Sequence, residues 1–152
     1  MQDPKYVKDA FSDIADKYVF TNHVLSFGVD ILWRRKVAKM VSSQKPINVL
    51  DLATGSGDLA LEIQKNCPKA EVIGSDFCEP MLRQANKRGL ERTVLADALH
   101  LPFSENYFDV VTVGFGLRNM ADWSEALSEM FRVLSSGGYL IVLDFSLPKG
   151  FI

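Results

Sequence analysis

The chain has 152 residues, enough for one domain with a core of its own. With 47% apolar and 24% charged residues it reads as a soluble globular protein, and a formal net charge of −2 argues against nucleic acid as a partner. Cys67 and Cys78 lack metal-ligand spacing, which predicts a reduced, cytoplasmic setting with no metal site, and no apolar run is long enough to cross a bilayer, so any membrane contact is expected to be peripheral.

Taken in order, residues 1–45 differ from the rest. Val7, Ala10, Phe11, Ile14 and Ala15 recur at helical spacing. An aromatic-rich stretch from Tyr18 to Gly28 follows, then a second helix from about Asp30 to Ser42-Ser43. We expect this arm to form a helical cap over a crevice, with ordinary packing on a sheet as the alternative. His23 within it reads as a packed or surface histidine. Pro46 ends the arm.

From residue 46 onward strands and helices alternate, the pattern of a parallel α/β sheet. The strands are expected at Asn48–Leu52, Val72–Asp76, Thr93–Ala96, Phe108–Val113 and Tyr139–Asp144. One helix is expected to start near Pro80, carry Met81, Leu82 and Ala85, and stop at Gly89. Another, from about Asp122 to Leu134, is expected to turn Ala126, Leu127, Met130, Phe131 and Val133 to the core. Gly137-Gly138 is expected to turn the chain into the last strand.

The chemistry centres on Val49 to Asp58. An apolar strand runs into Thr54-Gly55-Ser56-Gly57, where Gly55 and Gly57 permit a sharp turn and a close approach to a ligand. Asp58 is a helix N-cap candidate. This glycine pattern also fits a dinucleotide fingerprint, or a turn with no ligand at all. Asp51 separates these readings. A carboxylate inside an apolar strand must be paired, so it either accepts hydrogen bonds from the turn or meets a cationic ligand. S-Adenosyl-L-methionine, with its sulfonium and α-ammonium groups, fits that requirement better than NAD.

Further acids sit at strand ends. Asp76 closes the second strand, where a carboxylate can accept both hydroxyls of a ribose; capping the next helix is its alternative role. Phe77 is placed to lie against an adenine face or to pack beneath the sheet. Asp97, after the third strand, can accept from an adenine amino group while the backbone of Ala98 addresses the ring nitrogen. Gly114, after the fourth strand, adds room beside the reacting centre.

The order of these motifs resembles a class I S-adenosylmethionine-dependent methyltransferase. It comprises Asp-x-x-x-Gly-x-Gly, an acid after strand two, Ala96-Asp97-Ala98 with Leu101-Pro102-Phe103, Phe108-Asp109, and Arg132-Val-Leu-Ser-Ser-Gly-Gly. Phe11-Ser-Asp-Ile-Ala-Asp-Lys-Tyr18, Asn22, Ser26-Phe27-Gly28, Trp33-Arg34-Arg35, Phe115-Gly116-Leu117-Arg118-Asn119 and Asp144-Phe145-Ser146 narrow the likeness. Over essentially the whole chain it is similar to the quinone-ring C-methyltransferases of menaquinone and ubiquinone biosynthesis, the UbiE/MenG family. Phe115 to Asn119 is the most specific part. Val19 departs from the family's usual Tyr-Asp.

The resemblance implies a Rossmann-like α/β sheet of order 3-2-1-4-5, built on residues 46–152, with the family's last strands absent. It implies S-adenosyl-L-methionine as cofactor and a polyprenylated quinol as substrate. Ser56, Asp76, Asp97, Ala98 and Gly114 fall on cofactor-contact positions, and Tyr18, Arg118 and Asn119 on positions that face the quinol. A pair with Asp122 is the alternative role for Arg118. The rival functions are methylation of another small apolar acceptor and a cofactor-binding fragment without turnover. With its partner strands absent, the fifth strand is expected to be an open apolar edge prone to self-association.

Overall fold

Strand β1, Asn48–Leu52, occupies the middle of a five-stranded sheet in this computed structural model, which describes residues 29–114 and 122–143. It pairs in parallel with β2, Glu71–Asp76, on one side and with β4, Phe108–Gly114, on the other. β3, Arg92–Leu95, lies outside β2, and β5, Leu134–Leu143, outside β4. The order is therefore β3-β2-β1-β4-β5 with every pair parallel, as expected. Between β1 and β4 the winding reverses, and the C-terminal strand ends at such a switch point are where open α/β sheets bind ligands.

Both faces of the sheet are covered, which is why β1 and β2 are buried almost throughout rather than at alternate positions. Successive residues go to opposite sides. Val49, Val72 and Val110 pack with Val37, Ala38 and Val41 of helix α1, Val29–Ser43, and with Leu59, Ala60 and Ile63 of α2, Asp58–Asn66. Ala85 of α3, Glu79–Lys87, joins the same side. Leu50, Leu52, Val111 and Val113 pack on the other side against Ala126, Met130 and Val133 of α4, Trp123–Val133. Each fully buried branched side chain of this kind, such as Leu50 or Ile63, contributes about 1.5–3 kcal/mol. The helix expected before residue 17, the aromatic stretch around His23 and the segment Asp144-Phe145-Ser146 lie outside the described residues.

Three expectations need correction. Asp58 does not cap α2: Gly57 holds that position in a left-handed conformation, φ 90°, and Asp58 is the first helical residue. Phe131 does not face the core but is 62% exposed. It follows Met130 by about 100° around the helix, which carries it off the buried stripe. Finally, β5 starts at Leu134 rather than Tyr139, because α4 runs straight into it. Leu134 pairs with Phe108, the chain bulges over residues 135–138, and pairing resumes at Tyr139 opposite Val110. The two glycines make this bulge possible. Gly137 has φ +79°, and a Cβ on Gly138 would lie 2.9 Å from the Asp109 carbonyl oxygen.

Candidate functional site

The turn after β1 is built on left-handed backbone at alternate positions: Ala53 at φ 52°, Gly55 at φ 58° and Gly57 at φ 90°. For the alanine this conformation costs roughly 1–2 kcal/mol. The two glycines serve different ends. A Cβ on Gly57 would meet the Cβ of Ala85 at 3.0 Å, so Gly57 lets α3 approach. A Cβ on Gly55 would meet nothing within 4 Å, so the chain at Gly55 fronts open space. The turn is tied to β2 by Thr54 N–H donating to the Ser75 carbonyl at 2.9 Å.

Asp51 is 1% exposed and fully paired within the fold. The Thr54 hydroxyl donates to its Oδ2 at 2.7 Å, and the Thr112 hydroxyl of β4 donates to its Oδ1 at 2.7 Å. The expected bond from the turn is thus present. Burial raises its pKa to about 6, against the opposing pull of the two hydroxyl bonds, with Asp76 and Asp58 adding to the rise. Thr112 was not singled out by the sequence, although a lone hydroxyl in Phe-Asp-Val-Val-Thr-Val was the available signal. Its register opposite Asp51 needed the sheet. On the other flank Gly74 is opposite Asp51, and a Cβ there would lie 2.9 Å from both Thr54 Oγ1 and Cγ2. Gly74 makes room for the threonine that holds the acid.

Asp76 binds the glycine turn to the start of α3. Gly55 N–H donates to its Oδ2 at 2.8 Å and Cys78 N–H to its Oδ1 at 2.9 Å. The N-cap of α3 is Cys78 rather than Asp76, and Asp76 reaches the helix start only through the N–H of that residue. Burial raises its pKa, opposed by the amides of Gly55, Cys78 and Phe77. A carboxylate offers about four lone-pair sites, and the amides of Gly55, Cys78 and Phe77 engage three of them, which leaves room for about one further donor.

Ser56 is buried, and Arg88 is the residue that addresses it. Arg88 Nη1 donates to the Ser56 carbonyl at 2.9 Å and to its hydroxyl at 3.3 Å, and pairs with Asp58 at 2.7 Å. Arg88 escaped sequence reading because this link spans more than thirty residues. Asp97 is exposed just past β3, with its Oδ1 taking the Leu99 N–H at 2.9 Å. Ala98 and Phe77 are half-buried; Ala98 packs against the core on the α4 side. Gly114 ends β4, where a Cβ would lie 3.1 Å from Leu59 Cδ2. Tyr18, Arg118 and Asn119 lie outside the described residues.

The result is three acids, Asp51, Asp76 and Asp97, at the C-terminal ends of three adjacent strands, around a turn that fronts open space at Gly55. Asp76 and Asp97 can accept hydrogen bonds from hydroxyl and amino groups, while Asp51, paired with Thr54 and Thr112, adds only its buried carboxyl beneath the turn. No group of acids, histidines and cysteines among the described residues could hold a metal ion. A groove of about 740 Å³ lies at the opposite ends of β2 and β3, lined by Gln64, Lys65, Pro68, Glu71 and Arg92, and includes none of the three acids.

The model of the ubiE/COQ5 methyltransferase family matches residues 1–152. The chain belongs to that family. It is 51% identical over 143 residues to a demethylmenaquinone methyltransferase of Thermus thermophilus, covering 91% of this chain and 65% of that protein. It is 42% identical over 151 residues to a ubiquinone/menaquinone biosynthesis C-methyltransferase UbiE of Geobacter sulfurreducens, covering 94% of this chain and 59% of the relative. The chain thus spans less than two thirds of the length of these curated relatives. Among solved structures, a SAM dependent methyltransferase from Aquifex aeolicus matches with a TM-score of 0.66 at 22% identity, over 99% of this chain and 78% of that one. That likeness establishes the class I methyltransferase fold for this member of the ubiE/COQ5 family.

Proposed function

We propose that the C-terminal ends of β1, β2 and β3 bind S-adenosyl-L-methionine, and that the protein methylates a ring carbon of a polyprenylated quinol in menaquinone or ubiquinone synthesis. The observation that carries the reading is the set of three strand-end acids around the open Gly55 turn, in a chain of the ubiE/COQ5 family. Asp76, at the end of β2, is assigned to the ribose hydroxyls, with Phe77 beside the adenine. Asp97 and the Ala98 amide suit the adenine edge. Asp51, Thr54, Gly55, Ser56 and Gly57 form the floor under the methionine part, and Gly114 borders the reacting centre.

The cofactor, when bound, supplies an electrophilic methyl group on a positively charged sulfur. What the chain contributes is alignment of the two ligands and exclusion of water. Arg118 is assigned to the phenolate that develops as a quinol hydroxyl loses its proton, with Asn119 and Tyr18 as hydrogen-bond partners. An arginine stays protonated and is a poor base, so the proton leaves through water.

Residues 1–45 are read as a cap anchored by Val37, Ala38 and Val41 of α1. The outward side of that helix exposes Leu32, Trp33 and Met40 beside Arg35, Lys36 and Lys39, with Lys36 Nζ 5.0 Å from the centre of the Trp33 ring. Aliphatic, indole and cationic groups on one helix suit a peripheral contact with an anionic lipid surface, the source of a polyprenylated substrate for a cytoplasmic enzyme. No helix among the described residues is long and apolar enough to cross a membrane.

The test is turnover with a demethylated quinol and S-adenosyl-L-methionine, with the product's mass and methyl position read directly. Arg118→Ala should reduce turnover far more than cofactor affinity. Equal losses in both would make Arg118 a cofactor or folding residue, and methylation only of unrelated acceptors would overturn the substrate class.

A further inference from the structure

The segment after β3 carries Asp97 and Ala98, yet it has little regular structure of its own. A short backbone turn closes it, with His100 N–H donating to the Asp97 carbonyl at 2.9 Å. Its far end is held by two side chains of α4. Glu129 Oε1 accepts the Leu101 N–H at 2.8 Å, and Arg132 Nη2 donates to the Leu101 carbonyl at 2.9 Å. Arg132 Nη1 donates to the Phe103 carbonyl at 2.9 Å, while its Nε binds Glu129 Oε2 at 2.6 Å. One ion pair therefore takes both backbone polar groups of Leu101 and the next carbonyl but one. The guanidinium fork matters here, because a single ammonium cannot reach two carbonyls and a carboxylate in one plane.

We propose that Glu129 and Arg132 are positioning residues of the adenine subsite. They set the height of the Asp97–Leu101 turn over the sheet and thereby the selectivity of Asp97 and Ala98 for an adenine ring. The inference rests on the reading that the cofactor's adenine lies at these two residues. Adenine offers an amino group to the Asp97 carboxylate and a bare ring nitrogen to the Ala98 amide. Hypoxanthine presents a carbonyl and a protonated ring nitrogen instead, so both contacts are reversed. Discrimination of this kind needs the acid and the amide at hydrogen-bond distance and angle, and it fades once they drift. The turn can drift without unfolding the segment. Leu101 is buried, and the Phe103 ring meets Phe108 edge-on at 5.1 Å, which holds the loop by apolar contact when the polar clamp is lost.

The experiment is calorimetric titration of the chain with S-adenosyl-L-homocysteine and with its inosine counterpart, on the unaltered protein, Asp97→Ala and Arg132→Lys. The unaltered protein should prefer the adenine ligand, and Asp97→Ala should largely abolish the preference. Arg132→Lys, which keeps the charge but loses the fork, should lower the preference at least fivefold at a melting temperature close to that of the unaltered protein. An unchanged preference in folded Arg132→Lys would overturn the proposal and leave the pair a purely structural clamp. If Arg132→Lys fails to fold, Glu129→Gln decides. It keeps an acceptor for Leu101 but removes the charge that orients Arg132, and it should lower the preference in the same direction; an unchanged preference there is equally fatal. Absence of any adenine preference in the unaltered protein overturns the adenine placement itself, whereas a preference indifferent to the clamp leaves that placement standing.

Discussion

Asp51 shows what a buried acid does to the protein that holds it. Its carboxyl is raised to about 6 by burial, well above an unfolded-chain value near 4. The folded form therefore binds the proton more tightly than the unfolded form. Between about pH 4 and pH 6 the native state holds a proton the unfolded state has released, so stability falls as pH rises through that window. The loss is on the order of 3 kcal/mol for a shift of this size. Denaturant melts from pH 4 to pH 7 should show the stability of Asp51→Asn gaining on the unaltered protein up to about pH 6 and running parallel above it. Curves parallel throughout would mean that Asp51 is ionised in the fold. The sequence made this acid conspicuous because it interrupts an apolar strand. Its partner Thr112 was not conspicuous, because the contact joins residues 61 positions apart and depends on β1 lying beside β4.

Elements with a strong local pattern were readable, and their junctions were not. β1 has the bounds its apolar run predicts, whereas the passage from α4 into β5 depends on Gly138 fitting over the Asp109 carbonyl, a long-range contact. Two consequences belong to elements on the outside. β5 pairs only with β4 among the described residues, and Tyr139 is 50% exposed on it. From Tyr139 onward the strand has no lysine or proline to blunt pairing with another chain. We expect the 152-residue chain to self-associate along this edge, with light scattering across a concentration series showing a rising mean mass. A mass that stays monomeric would mean that other parts of the chain cover the edge. For α1, sedimentation with vesicles should show binding that needs anionic lipid and weakens with salt. Lys36→Glu with Lys39→Glu should abolish it. Equal binding to neutral vesicles, or none to anionic ones, would remove α1 from the membrane contact.

The sheet order could not come from the period of the strands, since five short parallel strands carry no local record of their neighbours. It was reached through the family resemblance, and the structure has it. The strand-end acids were readable for a different reason: a charge at the end of an apolar run stands out wherever the chain later folds. The residues that shape their surroundings act across the sheet or from another helix: Gly74, Arg88 and Glu129 have no local mark, and Arg132 was marked only as the start of a family motif, not by its bonds to Leu101 and Phe103. All of these lines meet at Asp76, which ties the glycine turn to α3 at the C-terminal end of β2. The decisive measurement is therefore calorimetric titration of S-adenosyl-L-methionine into the unaltered chain and into Asp76→Ala. The expected result is saturable one-to-one binding, weakened roughly 10- to 100-fold by the substitution, the range for hydrogen bonds to a charged group of about 1.5–3 kcal/mol. No saturable binding, or the same affinity in a folded Asp76→Ala protein, would contradict the placement of the cofactor at these strand ends.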